Sequence, residues 1–239
     1  MFSESTEIYD VIYCAMKDYA AEAGALATLI LQQHPGARTV LDVACGTGEH
    51  ARHLAADRGF AVDGIDLDAG FVALAQRKNP AGRFERANMI DFDLGRRYDA
   101  VLCMFSSIGY VLTLEHVTAT LSRFAAHLAP GGVVIVEPWF RPDSFQHGRV
   151  HLHSVEFEGF PVCRMGYSTV EGRISRIHFE YLIGGTDGIR RASEHHELGL
   201  YTTAELRACF DAAGLASEYD PVGPMNRGLF VARLARTAP

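Results

Sequence analysis

The sequence predicts an α/β protein: a mostly parallel sheet with helices on both faces, extended late in the chain by an antiparallel β-meander. Three observations carry this. Between residues 38 and 139, short apolar runs alternate with helix-length segments. Those runs, "RTVLDVA", "YDAVLCMF" and "VVIVEPW", lack the polar alternation of a half-exposed strand, as expected for strands buried on both faces. From residue 150 to 201 the pattern becomes alternating, with turn signals at Gly159, Gly172 and Gly184–Gly185 and no convincing helix.

The elements follow in order. Residues 6–33 read as helical, rich in Ala, Leu and Glu toward their end, until "HPGA" breaks the pattern. "RTVLDVA" is the first strand, "GEHARHLAADRG" a helix stopped by Gly59, and "FAVDGIDLD" the second strand. "AGFVALAQRKNP" is a helix closed by Asn79-Pro80, "GRFERANM" a third strand and "YDAVLCMF" a fourth. "EHVTATLSRFAAHLAPGG" reads as a helix with Gly131-Gly132 past its end, and "VVIVEPW" as the fifth strand. After the meander, residues 203–213 form a last helix ending at Gly214, and "LASEYDPV" and "GLFVARLA" close the sheet. The expected organisation is one domain over 1–239: a helical cap (1–35), a ligand-binding core (36–140), the meander insertion (141–201), and a closing helix and strands (202–239).

Bulk properties limit the function. The chain has 239 residues, 48% hydrophobic and 21% charged, with a net charge of −7. Nucleic-acid binders carry basic surfaces, so no nucleic-acid partner is expected. No apolar run approaches the ~20 residues that span a membrane, and the acidic "MFSESTEIYD" lacks a signal core. Five dispersed cysteines without a C-x-x-C pair read as free thiols, so a cytoplasmic location is expected.

The stretch "VLDVACGTGEHARHLAADRGFAVDGIDLD" holds the chemistry. Gly46-Thr47-Gly48-Glu49-His50-Ala51 fits the G-x-G-x-x-G/A turn between a strand and a helix. Three ligands compete for it. A phosphate-cradling loop needs Lys and then Ser or Thr after its last glycine, and here Glu49 and His50 follow Gly48. A dinucleotide needs a helix N-terminus facing its pyrophosphate, where Glu49 and Asp42 place negative charge. Carboxylates suit a ligand with a sulfonium and an ammonium, and S-adenosyl-L-methionine carries both.

The string "LDVACGTG" resembles the first motif of class I S-adenosylmethionine-dependent methyltransferases. The resemblance implies their Rossmann-like fold, with a seven-stranded, mostly parallel sheet, and S-adenosyl-L-homocysteine as product. It implies that Asp42 holds the methionine ammonium and that the backbones of Ala44, Gly46 and Gly48 lie along the methionine part. Asp66, 20 residues after Gly46, falls where a carboxylate accepts the ribose hydroxyls, with Leu67 beside the adenine. "RANMIDF" matches the adenine-edge motif and puts Asn88 and Met89 there, although relatives often have Asp at the place of Asn88. "YDAVLCMFSSIGY" matches the motif after the fourth strand, with the Met104 backbone at the cofactor.

A closer resemblance covers nearly the whole chain. "KDYAAEA", "VLDVACGTG", "DFDLGRRYDAVLCMFSSIGY", "LAPGGVVIVEPW" and "RGLFV" are similar to strings of the N,N-dimethyltransferases that act on dTDP-linked 3-amino-deoxyhexoses in macrolide sugar biosynthesis. This implies a small-molecule natural-product acceptor, a dTDP-amino sugar, and a homodimer. Tyr19 would reach the methionine carboxylate, and Tyr9 and Tyr13 would lie near the cofactor or the acceptor. Tyr110 falls where the family places Tyr or His beside the acceptor amine. Ser106, Ser107, Trp139 and Arg227 fall at acceptor-lining positions, and the meander would contribute to the acceptor site. In "RIHFEYL", His178 and Glu180 stand where the family pattern has the acid and the His interchanged.

Methyl transfer to an amine asks the protein mainly to position the nucleophile and exclude water. Tyr110 would accept the amine hydrogen bond and aim its lone pair, Tyr13 is a further catalytic candidate beside it, and His178 or His196 would relay the proton. No metal site is expected: His151 and His153 share a strand face without a third ligand nearby. The alternatives are a methyltransferase acting on another natural product, at a peptide amine, hydroxyl or sulfur, and a non-enzymatic or NAD-binding module.

Overall fold

In the computed structural model, residues 6–157, 159–223 and 227–235 are described. Two helices, α1 (Thr6–Met16) and α2 (Tyr19–Gln33), replace the single helical stretch read from the sequence. The break falls at Lys17–Asp18 because the Asp18 side chain accepts from the Ala21 backbone N–H at 2.9 Å and starts a new helix. Then follow β1 (Thr39–Val43), α3 (Glu49–Arg58), β2 (Ala61–Asp66), α4 (Ala69–Lys78), β3 (Phe84–Arg86) and β4 (Tyr98–Cys103). A 3₁₀ turn (Ser107–Tyr110), α5 (Leu114–Ala126) and β5 (Leu128–Val136) complete the first half. The meander is β6 (Val150–Phe157), β7 (Phe160–Glu171), β8 (Ile174–Gly185) and β9 (Gly188–Gly199), and α6 (Thr203–Ala212), β10 (Leu215–Asp220) and β11 (Leu229–Leu234) close the chain.

The main sheet has the order β10-β11-β5-β4-β1-β2-β3. β11 runs antiparallel to its neighbours β5 and β10, and the remaining pairs are parallel. Side chains alternate between two layers. Leu41, Val43, Val101, Cys103, Val134 and Val136 pack with α5 and α6 on one face, and Val40, Ala100, Leu102, Val133 and Ile135 pack with α2 and α3 on the other. All are almost fully buried, which is why these strands read as continuous apolar runs. β1 pairs with β2 on one side and β4 on the other. The chain reverses direction across the sheet there, which leaves a crevice at the carboxyl ends of β1 and β4.

Two boundaries differ from the sequence reading. "HLAPGG" does not extend the helix: α5 ends at Ala126, and Leu128 already pairs with Tyr98 as the start of β5. A register shift between Tyr98 and Ala100, opposite Gly131 with φ +79°, accommodates Pro130 in a bulge. Gly184–Gly185 is not the turn after β8 but its end, and the turn is Thr186–Asp187. Gly184 is needed for closeness, since a Cβ there would lie 2.5 Å from Pro161 Cγ.

The glycine turn is built in the same tight way. Gly48 has φ +79°, and a Cβ on it would stand 2.7 Å from Asn79 Nδ2 and 3.0 Å from the Ala75 Cα. Asn79 in turn donates to the carbonyls of Gly48 and Ala75. Gly48→Ala therefore adds a clash to backbone strain. It is expected to lower unfolding free energy by about 2 kcal/mol or more in denaturant titration. Gly172→Ala meets nothing within 4 Å and is expected to cost only the left-handed backbone strain, about 1 kcal/mol.

Candidate active site

A pocket opens at the crevice, lined by Tyr9 and Tyr19 from the helical cap, Asp42, Ala44, Gly46, Thr47, Glu49 and His50 around the glycine turn, and Met104, Phe105 and Ser107 after β4. Its rim is conformationally unusual. Ala44, Phe105 and Ser106 are the non-glycine residues at positive φ (+56°, +54° and +60°) among those described, and such conformations persist where the surroundings enforce them. Phe105 is held by its N–H, which donates to Glu137 at 3.0 Å. Gly46 (φ +55°) presents bare backbone to the pocket, and a Cβ there would meet only the Tyr9 hydroxyl at 3.9 Å.

Two carboxylates define the electrostatics. Asp42 is 2% exposed, and its Oδ2 has no hydrogen-bond partner. Burial first, and then the charge of Asp66, push its carboxyl up to about 7. Asp66 accepts the Gly46 N–H on Oδ2 and the Asp68 N–H on Oδ1, each at 2.9 Å. Burial raises its carboxyl too, against those backbone donors. Each of its oxygens keeps a further acceptor position. A buried, orphaned carboxylate oxygen beside open backbone fits a cationic ligand with an ammonium and rejects a pyrophosphate. Glu49 contributes less than the sequence reading assumed: Lys78 at 2.7 Å and Arg52 at 2.8 Å already match its charge.

The cap is pinned over this pocket by interactions that sequence reasoning missed. Asp10 of α1 accepts from Thr47 of the glycine turn and from Lys78 of α4, both at 2.5 Å. Asp10, Cys14 and Glu49 lie close enough together to hold a metal ion, but the Lys78 ammonium bridges the two acids. Glu22 of α2 receives Lys17 at 2.9 Å and His50 at 2.8 Å, and the Tyr19 ring stands edge-on to His50, with centroids 4.9 Å apart.

The remaining expected residues divide between two ends. Tyr9 lies on the cofactor side, 4.5 Å from the Tyr13 ring and 4.8 Å from Phe71 (centroids). Leu67 is exposed at the end of β2, and Asn88 Oδ1 accepts the Ile90 N–H at 3.1 Å. Met89 packs against the core, and Met104, 2% exposed, lines the pocket. At the other end, Tyr13 accepts from Arg164 of β7 at 3.1 Å, and Tyr110 meets His196 Nδ1 of β9 at 3.1 Å. Burial pushes the phenols of Tyr9, Tyr13, Tyr19 and Tyr110 up. Ser107 lines the pocket, whereas Ser106 is fully buried and donates to the Pro138 carbonyl at 2.9 Å. Trp139 donates its indole N–H to Ser175 Oγ at 2.9 Å, tying the loop after β5 to the meander. Arg227 reaches Ser106 at 3.4 Å and Glu137 at 3.7 Å.

His178 is not brought to this cluster. It pairs with His195 in the β8–β9 ladder, while His196 faces Ile177. Adjacent residues point to opposite faces, so the expected proton relay through His178 is corrected: His178 stacks on His195 and bonds Glu180 at 2.7 Å on the outer face, and His196 is the histidine turned toward Tyr110.

Comparison with known proteins decides the family. Residues 40–132 match a family described as "Methyltransferase domain". The chain is 46% identical over 229 residues, 95% of its length and 89% of the relative's, to the dTDP-3-amino-3,6-dideoxy-alpha-D-glucopyranose N,N-dimethyltransferase of Streptomyces fradiae. The chain belongs to the S-adenosylmethionine-dependent methyltransferases. Its fold superposes on the crystal structure of Streptomyces venezuelae DesVI with a TM-score of 0.91 at 40% identity, over 96% of this chain and 98% of that one. A second neighbour is S-adenosylmethionine-bound CalS10, an amino pentose methyltransferase from Micromonospora echinaspora involved in calicheamicin biosynthesis. Its TM-score is 0.87 at 37% identity, over 95% and 97% of the two chains.

The methyltransferase uses S-adenosyl-L-methionine, and the orphaned Asp42 oxygen, the bare Gly46 backbone and the two free acceptor positions of Asp66 suit its ammonium, methionine chain and ribose. Asp66 fixes Gly46 and is the residue expected to meet the ribose. Asp66→Ala is expected to weaken cofactor binding more than a hundredfold by isothermal titration. Asp66→Asn, with one oxygen retained, is expected to weaken it about tenfold. Native affinity in both variants would remove Asp66 from the site.

Proposed function

We propose that this methyltransferase N-methylates the amino group of a nucleotide-linked deoxyamino sugar in natural-product biosynthesis. The observation that carries the reading is the wall beyond Phe105. Burial raises the Tyr13 phenol, Arg164 and Arg227 lie close enough to oppose that rise, and Lys17 sits 3.9 Å from the Phe105 ring centroid. The Arg227 guanidinium lies over the rings of Phe105 and Phe140. Cations beside aromatic faces suit a base and a diphosphate. The neutral acceptors Tyr13 and Tyr110 stand in the same region, where an uncharged amine needs orientation. The dimethyltransferase of Streptomyces fradiae, named for a dTDP-3-amino sugar, supports the same substrate class.

In this reading Asp42, Ala44, Gly46, Gly48, Asp66, Leu67, Asn88, Met89, Met104 and Tyr19 hold the cofactor, with Tyr9 closing over it from α1. Tyr13, Ser107, Trp139 and Arg227 shape the acceptor side, and Tyr110 aims the amine. Bound S-adenosyl-L-methionine supplies a sulfonium-activated methyl: the amine lone pair forms the new N–C bond while the C–S electrons leave on sulfur. The chain itself contributes orientation, exclusion of water and a place for the proton.

The reading extends to assembly and location. The chain acts as one domain, with the meander as an insertion that completes the acceptor site. Val150, Leu152, Met165, Tyr167 and Leu182 are exposed apolar residues on the meander whose ladder pairings place them on the His178 face, and they support a homodimer. No described helix is long and apolar enough to cross a membrane, and all five cysteines are free, which supports a cytoplasmic enzyme.

The test is incubation of the full chain with S-adenosyl-L-methionine and either dTDP-3-amino-3,6-dideoxyglucose or short peptide amines, read by mass spectrometry. A mass gain of one or two methyl groups on the sugar nucleotide alone is expected. Arg227→Ala is expected to raise KM for it about tenfold, with a smaller change in kcat. Methylation of the peptides alone would replace the sugar nucleotide with another natural product.

A further inference from the structure

Methylating an amine leaves a surplus proton on nitrogen, and a second methylation at the same atom requires its removal. Behind Tyr110 the structure holds a buried chain of groups that leads away from the pocket. The Tyr110 hydroxyl lies 3.1 Å from His196 Nδ1, His196 Nε2 lies 3.4 Å from Glu194 Oε2, and Tyr181 Oη donates to the same Glu194 oxygen at 2.7 Å. His196 is 4% exposed and Glu194 2% exposed. They alternate with the outward-facing His195 along β9, so strand geometry places both on the face that meets the 3₁₀ turn carrying Tyr110.

We propose that Glu194 and His196 are positioning residues that make Tyr110 a hydrogen-bond acceptor toward the amine and receive the proton released at each transfer. The proposal rests on the amino-sugar reading above. A carboxylate accepts only, so Glu194 selects the His196 tautomer with its proton on Nε2. Nδ1 then accepts from the Tyr110 hydroxyl, whose lone pairs are left for the amine N–H. When nitrogen gains its methyl carbon, its N–H proton passes to Tyr110 Oη as the Tyr110 proton passes to His196 Nδ1. The imidazolium so formed stands beside the Glu194 carboxylate. The 3.4 Å contact is expected to tighten as His196 takes charge. The amine is then neutral again and its lone pair is free for a second methyl group. The proton leaves from His196 to solvent when product departs.

Among the described residues, the other ionisable groups that act on this chain include Tyr13 of α1, Arg164 of β7 and Asp66 of β2. They influence Tyr181 together with Glu194, and Tyr13, Glu194 and Asp66 influence Tyr110. Glu194 Oε1 and Arg164 Nε are both buried without a hydrogen-bond partner, so the network keeps acceptor and donor capacity in reserve beside the reacting end.

The test compares the full-length parent with Glu194→Gln and His196→Asn, using S-adenosyl-L-methionine and the dTDP-amino sugar and resolving unmethylated, monomethyl and dimethyl products over time. In both variants the second transfer is expected to slow about ten- to a hundredfold relative to the first. Monomethyl product should accumulate, and assay at higher pH should shrink the excess. Cofactor affinity by calorimetry and melting temperature should stay near the parent's. A readout independent of turnover is imidazole ¹⁵N NMR of the chain with S-adenosyl-L-homocysteine. The parent His196 is expected as the Nε2–H tautomer, and Glu194→Gln is expected to disturb it. Stable variants with the parent's product ratio at every pH, or an Nδ1–H tautomer in the parent, would overturn the relay. If the parent leaves the amino sugar unmethylated, the substrate reading falls instead. The tautomer then decides the relay: Nε2–H in the parent that is lost in Glu194→Gln supports it, and Nδ1–H overturns it.

Discussion

Two carboxylates at the ends of neighbouring strands constrain the rest of this molecule. Asp42 and Asp66 project from β1 and β2 into one small volume, where burial raises the proton affinity of both and the charge of Asp66 raises that of Asp42 further. Asp66 offsets part of that cost by accepting two backbone N–H groups, one of them from Gly46. Asp42 keeps an unpartnered oxygen. A fold can retain such an arrangement where a ligand completes it. A cation with an ammonium and a ribose does so; a diphosphate would meet two buried negative charges.

The cap and the meander follow from where that pocket opens. α1 touches three bodies of the structure at once: the glycine turn through Asp10 and Thr47, α4 through Asp10 and Lys78, and the meander through Tyr13 and Arg164. It therefore couples the glycine turn to the meander with one helix. The meander in turn delivers His196 and Glu194 to Tyr110. The insertion is thus not only a cover, because it carries the groups of the proposed proton relay.

Much of this was legible in the sequence for physical reasons. Strands buried on both faces are continuous apolar runs, so β1, β4 and β5 stood out. Gly46, Gly48 and the spacing to Asp66 are local consequences of a strand–turn–helix and were readable as such. Tertiary choices were not. Nothing in "KDYAAEA" separates a break at Asp18 from a continuing helix until its side chain is seen to cap α2. Nothing in "EHVTATLSRFAAHLAPGG" says that Leu128 pairs with Tyr98, since that bulge is a property of β4 and β5 together. Glu49 read as a bare charge because its partners Lys78 and Arg52 come from a later helix and its own outer face. His178 and His196 were indistinguishable by residue type, and only the register of β8 against β9 settles which one faces inward.

The most direct measurement is the proton exchange that accompanies cofactor binding, by titration calorimetry in buffers of different ionisation enthalpy. In the unliganded fold Asp42 is pushed up to about 7, above its unfolded value. Its contribution to stability is therefore present in full at low pH and lost as pH rises through about 7. An ammonium beside it favours the ionised form. Near pH 7 the parent is expected to release about half a proton more per cofactor bound than Asp42→Asn does. Equal proton exchange in the two proteins, with undiminished affinity in the variant, would contradict the account.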